Sequence, residues 1–200
     1  MLKNLKIPRP TELEVKKYLN LWNSNKNFYI PENALEELFK GRFSNEDIND
    51  VLVKVYALND AYRTNIRWQV TIAEHIVRQK IDNGLDGVDL AVVDKIRKGH
   101  SIRNRYGTEI NFYSFATKYC SFHRPDKYPL FDSNVKTALI YFKKNCEKFT
   151  FNDEDLTKYN KFVDIIQNFK EVFDLPSSFR DIDKYLYLVG RELNPPKNKS

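Results

Sequence analysis

The chain has 200 residues, 42% of them hydrophobic and 14% aromatic, enough for one substantial core or two small lobes sharing a cleft, and too apolar for a disordered chain. Lys and Arg number 33 against 27 Asp and Glu, a formal charge of +6 that suits a polyanionic partner without requiring one. Two cysteines exclude a disulfide framework, no apolar run reaches membrane-spanning length, and Met1-Leu2-Lys3-Asn4 does not lead into a signal peptide, so a soluble, cytoplasmic, monomeric protein is expected.

In chain order, Thr11 to Asn23 spaces Leu13, Val15, Tyr18, Leu19 and Trp22 mostly at helical intervals and predicts an amphipathic helix. Pro31 predicts the start of a short second helix with Leu35, Leu38 and Phe39 as its apolar face. Ser44 and Asp47 resemble a capping box opening a long helix to Ala61, which Ile48, Val51, Leu52, Val55, Tyr56 and Leu58 predict to be central and largely buried. Tyr62-Arg63-Thr64-Asn65 breaks the pattern before a helix from about Trp68 to Lys80. Asn59, Tyr62, Thr64 and Asn65 either project into a cleft or form a plain interhelical turn.

Asn83 to Gly87 reads as a loop and Val88 to Ile96 as a short helix. Five Lys or Arg then fall between Lys95 and Arg105 with no acid among them, a run that suits phosphate contact or a solvated connector. Phe112 to Phe122 predicts a helix. His123 to Lys127 is a polar break, Tyr128-Pro129-Leu130-Phe131 an elbow, and Asp132-Ser133-Asn134 opens a helix whose core positions are Val135, Leu139, Ile140 and Phe142. That places a carboxylate, Asp132, at a helix start, where it is either a functional group or simply an N-cap. An acid-first helix runs from Asn152 to Phe173, and the last helix spans Phe179 to Leu193. The expected fold is all-α, with one domain over residues 1–193 and a mobile tail over 194–200.

With these residues laid out, the order of parts resembles the helix-hairpin-helix DNA glycosylases, especially the 8-oxoguanine glycosylase and endonuclease III branches. Tyr128-Pro129-Leu130-Phe131-Asp132-Ser133-Asn134-Val135 is similar to the segment that supplies the family's essential Asp. Ser114-Phe115-Ala116-Thr117-Lys118 is similar to the start of its Lys helix, and Leu58 to Asn65 to its pocket turn. The likeness covers about half the chain, Val53 to Phe142. The family's Leu-Pro-Gly-Val-Gly hairpin is absent, its equivalent falling to Arg103–Asn111. The 14 positions from Lys118 to Asp132 are several fewer than the family gap, which would select Ser114.

The resemblance implies a two-lobed helical fold with a cleft between lobes, and excision of a damaged or modified base from double-stranded DNA by base flipping, without cofactor. Asp132 stabilises the sugar cation in this reading, and Lys118 acts as a Schiff-base nucleophile with abasic-site lyase activity, or else contacts phosphate or solvent. Lys98, Arg103 and Arg105 would hold phosphate. Asn59, Tyr62, Asn65, Tyr113, Phe115, His123 and Asn134 would form the base pocket, although aromatics at helical spacing also suit a core. The altered base stays open, as does the choice between genome repair and defence against foreign DNA. The alternatives are an inert helical DNA-binding protein, which would also bind duplex, and a protein-interaction domain, which would not. Cys120-x-x-His123 lacks nearby partners among Cys146, His75 and His100, so no metal site is expected.

Overall fold

In the computed structural model, which describes residues 6–41 and 43–195, ten α-helices and one 3-10 turn account for the regular structure. They are α1 (Glu12–Ser24), α2 (Lys26–Lys40), α3 (Ile48–Tyr62), α4 (Gln69–Gln79), α5 (Asp82–Asp86), α6 (Ala91–Arg97), α7 (Tyr113–His123) and α8 (Ser133–Asn145), then the 3-10 turn Asp153–Thr157, α9 (Tyr159–Val172) and α10 (Phe179–Leu193). Among the described residues the extended chain contributes one isolated antiparallel bridge, Arg103 with Glu109. The fold is all-α. No described helix is long and apolar enough to cross a membrane. Met1 to Asn4 and residues 196–200 of the tail lie outside the described residues.

The chain divides into two compact units: Asn27–Tyr128, and Met1–Lys26 with Pro129–Ser200. In the first, α3 packs on α4 and α6 on α7. Val51, Val55, Leu58, Ile72, Ile76, Val93, Ile96, Phe115 and Phe122 recur at three- and four-residue steps and are buried. In the second, α10 packs on α8 and α1. Its core is aromatic: Phe169 lies 5.4 Å from Phe142, 5.3 Å from Phe149 and 4.8 Å from Phe173, ring centroid to centroid. Each such ring, fully buried, contributes roughly 2 kcal/mol.

Several boundaries differ from the sequence expectation. α2 starts at Lys26, before Pro31, so the proline lies inside the helix, where it has no amide to donate to the Asn27 carbonyl. The cap of α3 is Asp47, whose carboxylate accepts from the amides of Asn49 and Asp50, while the Ser44 hydroxyl accepts from Glu46 and Asp47. α3 is also less buried than predicted: Val53 and Tyr56 are exposed, while Lys54 is buried. The predicted loop at 83–87 holds a helical turn instead. A Cβ on Gly84 would lie 2.5 Å from the Val92 side chain, so the missing side chain lets α5 close onto α6. The acid-first helix is interrupted by the extended Lys158, which separates the 3-10 turn from α9.

Gly190 sets the geometry of the second unit. A Cβ there would meet the Asn134 carbonyl oxygen at 2.0 Å, so α10 crosses the first turn of α8 with backbone against backbone. On an unobstructed helix Gly→Ala stabilises by about 1 kcal/mol, whereas overpacking a core costs roughly 1–3 kcal/mol or more. Gly190→Ala is expected to lower unfolding free energy in urea by about 3 kcal/mol. A gain in stability would show that α10 does not make this approach.

Candidate functional site

Lys118 lies in the middle of α7, where every residue from Phe115 to Phe122 is buried. The apolar stripe runs through Phe115, Tyr119 and Phe122, and Lys118 falls on it, leaving the side chain 1% exposed. Lysine is almost never buried to this extent without partners. The ammonium donates to the Ser114 hydroxyl at 2.5 Å, one turn back, and sits 5.5 Å from the centroid of the Tyr62 ring. Tyr62 is held in turn by Phe122, edge on at 5.7 Å.

The turn after Tyr62 is closed on itself. The Asn59 amide oxygen accepts from the Thr64 hydroxyl at 2.8 Å and the Ile66 amide at 2.9 Å, and its nitrogen donates to the Ile66 carbonyl at 3.0 Å. Asn59 therefore clamps a turn in which Arg63 and the exposed Asn65 take left-handed backbone conformations. Tyr113 and Phe115 are core residues, with the Arg97 guanidinium 5.0 Å from the Tyr113 ring. Of the seven residues predicted to line a base pocket, Tyr62 is set directly beside Lys118.

His123 belongs to a different constellation, centred on the buried Asn45. The Asn45 amide nitrogen donates to the Asp82 carboxylate, which fixes the amide's orientation and turns its oxygen toward three donors. These are Lys54 Nζ at 3.0 Å, the Tyr119 hydroxyl at 2.7 Å and His123 Nε2 at 3.1 Å, so His123 carries its proton on Nε2. Burial pulls the Lys54 ammonium down to about 8, against the Asp82 and Asp50 carboxylates. Its three protons go to Asn45 and to the carbonyls of Phe43 and Ser44, at 2.8 and 3.2 Å. Lys54 is thus a buried tie for the 43–45 loop. Beside this hub opens a cleft of about 280 Å³ lined by Phe39, Ser44, Asp82, Asp86, His123 and Arg124.

The basic run forms a hairpin. Asn104 N donates to Thr108 O at 2.9 Å and Ile110 N to Ile102 O at 2.9 Å. Lys98, Arg103 and Arg105 are all exposed on this segment. The backbone amides beside Lys98 are not turned outward: Gly99 N and Ser101 N both donate to Glu109 Oε1, at 2.9 and 3.0 Å. Gly99 and Ser101 have positive φ, which aims both amides at one point. The chain's own carboxylate fills this anion nest, and these amides together with His100 and Arg103 hold its pKa down although partial desolvation raises it. The amides of Gly99 and Ser101 are thus engaged within the chain, and the exposed groups of this segment are side chains.

Asp132 stands at the N-terminus of α8 in the second unit, accepting from Asn134 N at 2.8 Å. The elbow before it is fixed at successive peptides. The Tyr159 hydroxyl donates to Pro129 O at 3.0 Å, Leu130 N donates to the buried Asp183 at 2.9 Å, and Phe131 packs edge on against Phe162 at 5.4 Å. With Gly190 pressed on Asn134, the backbone that carries Asp132 is held from α9 and α10. Among the described residues no three His, Cys, Asp or Glu side chains converge as a metal site. Cys120 is fully buried, which pushes its thiol up and removes it as a thiolate nucleophile.

Residues 14–127 match a family model, HI_0787_N, described as an N-terminal domain. A Haemophilus influenzae protein named only as an "Uncharacterized protein" is 36% identical over 149 residues, covering 74% of this chain and 70% of its own length. No solved structure matches the chain at a comparable level. The matched region contains Asn45, Lys54, the hairpin and Lys118, and ends five residues before Asp132.

Burial, reinforced by the Lys54 charge, holds His123 down to about 3, and burial also lowers His75. Both folded-state values lie below the unfolded one, so the unfolded chain binds more protons on acidification. This stability is complete above about pH 6.5 and is lost as pH falls toward the folded value. One edge of the His123 ring faces the open cleft, so about 2 kcal/mol is expected between pH 6.5 and 4.5, less than the full shift would give. Urea midpoints for the native protein and His123→Gln across this range should converge. Parallel profiles would show that His123 is not held neutral.

Proposed function

The chain belongs to the HI_0787_N family, and we propose that it is a DNA glycosylase that excises an altered base from duplex DNA. The observation that carries the reading is the burial of Lys118, a lysine in the apolar stripe of α7 with its ammonium beside the Tyr62 ring. A nucleophilic lysine is activated by desolvation in an apolar setting, which this burial supplies. The likeness of Ser114–Lys118 and Tyr128–Val135 to the glycosylase segments gives the chemistry its class.

In the proposed reaction the Lys118 amine, once its ammonium has given up a proton, attacks the anomeric carbon of a flipped nucleotide. The N-glycosidic bond breaks, and the base leaves with the bonding electron pair and takes up a proton. Asp132, at the start of α8, is the carboxylate assigned by the glycosylase resemblance to stabilise the positive charge that develops on the sugar. The amine nitrogen, having lost its proton, then holds the sugar as a Schiff base after ring opening, and strand scission follows from that adduct. Lys98, Arg103 and Arg105 contact phosphates through their side chains. The exposed basic hairpin equally supports a second reading, a DNA-binding protein without catalysis, and the two are separated by activity alone.

Duplexes carrying single altered bases, among them 8-oxoguanine, alkylated purines and bulky modified cytosines, test the reading through abasic sites and strand scission. Native protein is expected to release at least one base. Asp132→Asn is expected to slow release at least 100-fold, and Lys118→Ala to abolish scission. Unchanged release in both variants would overturn the assignment, and duplex binding without any release would favour the inert binder.

A further inference from the structure

Tyr106 is the most exposed aromatic side chain among the described residues, 76% open to solvent, and it stands at the tip of the hairpin between α6 and α7. A lone exposed tyrosine is ordinary, and what sets this one apart is the order beneath it. The Asn104 side-chain oxygen accepts from the amides of Tyr106 at 2.9 Å and Thr108 at 3.1 Å. Gly107, in the left-handed region, donates back to Asn104 O at 3.0 Å, and the Arg103 guanidinium donates to the Gly107 carbonyl. At the base, Ile102 is buried and Glu109 is locked into the nest of Gly99 and Ser101. The tip is therefore rigid, yet the ring it presents packs on little of its own protein.

No acid falls between Lys95 and Thr108 on the segment that carries the ring. The Arg105 guanidinium lies 4.7 Å from the ring centroid, and Arg103 and Lys98 are exposed on the same segment. Glu109, the next acid along the chain, is engaged in the nest. A fixed aromatic face with cations beside it has the chemistry of a stacking platform for unpaired bases, whose π-faces it takes in any sequence while the cations take the flanking phosphates.

We propose that the Arg105–Tyr106 tip binds single-stranded DNA by stacking one unpaired base on Tyr106. The ordering cost of the platform is already met by the hairpin, so binding requires only the strand to adapt. This inference shares with the proposed function its ligand class alone, and it holds whether or not a base is excised.

The test is fluorescence anisotropy of the full chain with a labelled oligothymidine, alongside thermal melting of each variant. Tyr106→Ala is expected to weaken binding about tenfold, with an unchanged melting temperature and an unchanged dependence on salt. Tyr106→Phe should bind as the native protein does, because the ring is retained. Arg105→Ala should show a smaller loss and a shallower salt dependence. Native affinity in Tyr106→Ala, an equal loss in Tyr106→Phe, a lowered melting temperature, or no single-strand binding by the native protein would each overturn the proposal. Base release on duplexes by Tyr106→Ala, measured in parallel, keeps this outcome apart from that of the glycosylase reading.

Discussion

The close approach of α10 to the start of α8 at Gly190 is the constraint on which the second unit depends. Backbone meets backbone there, with no room for a methyl group, so the first turn of α8 cannot shift without moving α10. The elbow ahead of it is tied at Pro129 and Leu130 by Tyr159 and Asp183, and Asp132 inherits its position from those ties. The N-cap geometry fixes the carboxylate's direction through its bond to the Asn134 amide. A stabiliser of developing charge needs this kind of support, because a carboxylate free to reorient would lose its directional effect.

The first unit depends on a different device. Asn45 gathers one ammonium, one hydroxyl, one imidazole and one carboxylate onto a single amide, and so fastens the loop before α3 to α7 and α5. Of the unit's two buried lysines, Asn45 takes Lys54. Lys54 has its three protons committed to fixed acceptors and serves the loop. Lys118 sits on α7 beside an aromatic ring and a hydroxyl.

Helices with strong periodicity were legible in the sequence: Phe179 to Leu193 was predicted at its observed bounds, and the all-α fold follows from such segments. Asp132 was legible as a cap because its signal is local, three consecutive residues after a proline. The Asn45 hub was not, since its partners lie 9, 37, 74 and 78 positions away. Glu109 in the nest escaped for the same reason, its carboxylate reaching back across a hairpin that no strand propensity announces. Lys54 could have been found, because it lies on the stripe of Val51, Val55 and Leu58. A lysine at an apolar register position is a signal that composition hides, and Lys118 carries it too.

The measurement that bears most directly on the central claim is peptide mapping of the protein after borohydride reduction in the presence of a substrate duplex. A deoxyribose-derived adduct is expected on the peptide containing Lys118. An adduct on Lys54, or base release with no adduct on any lysine, would contradict the assignment of Lys118 as nucleophile.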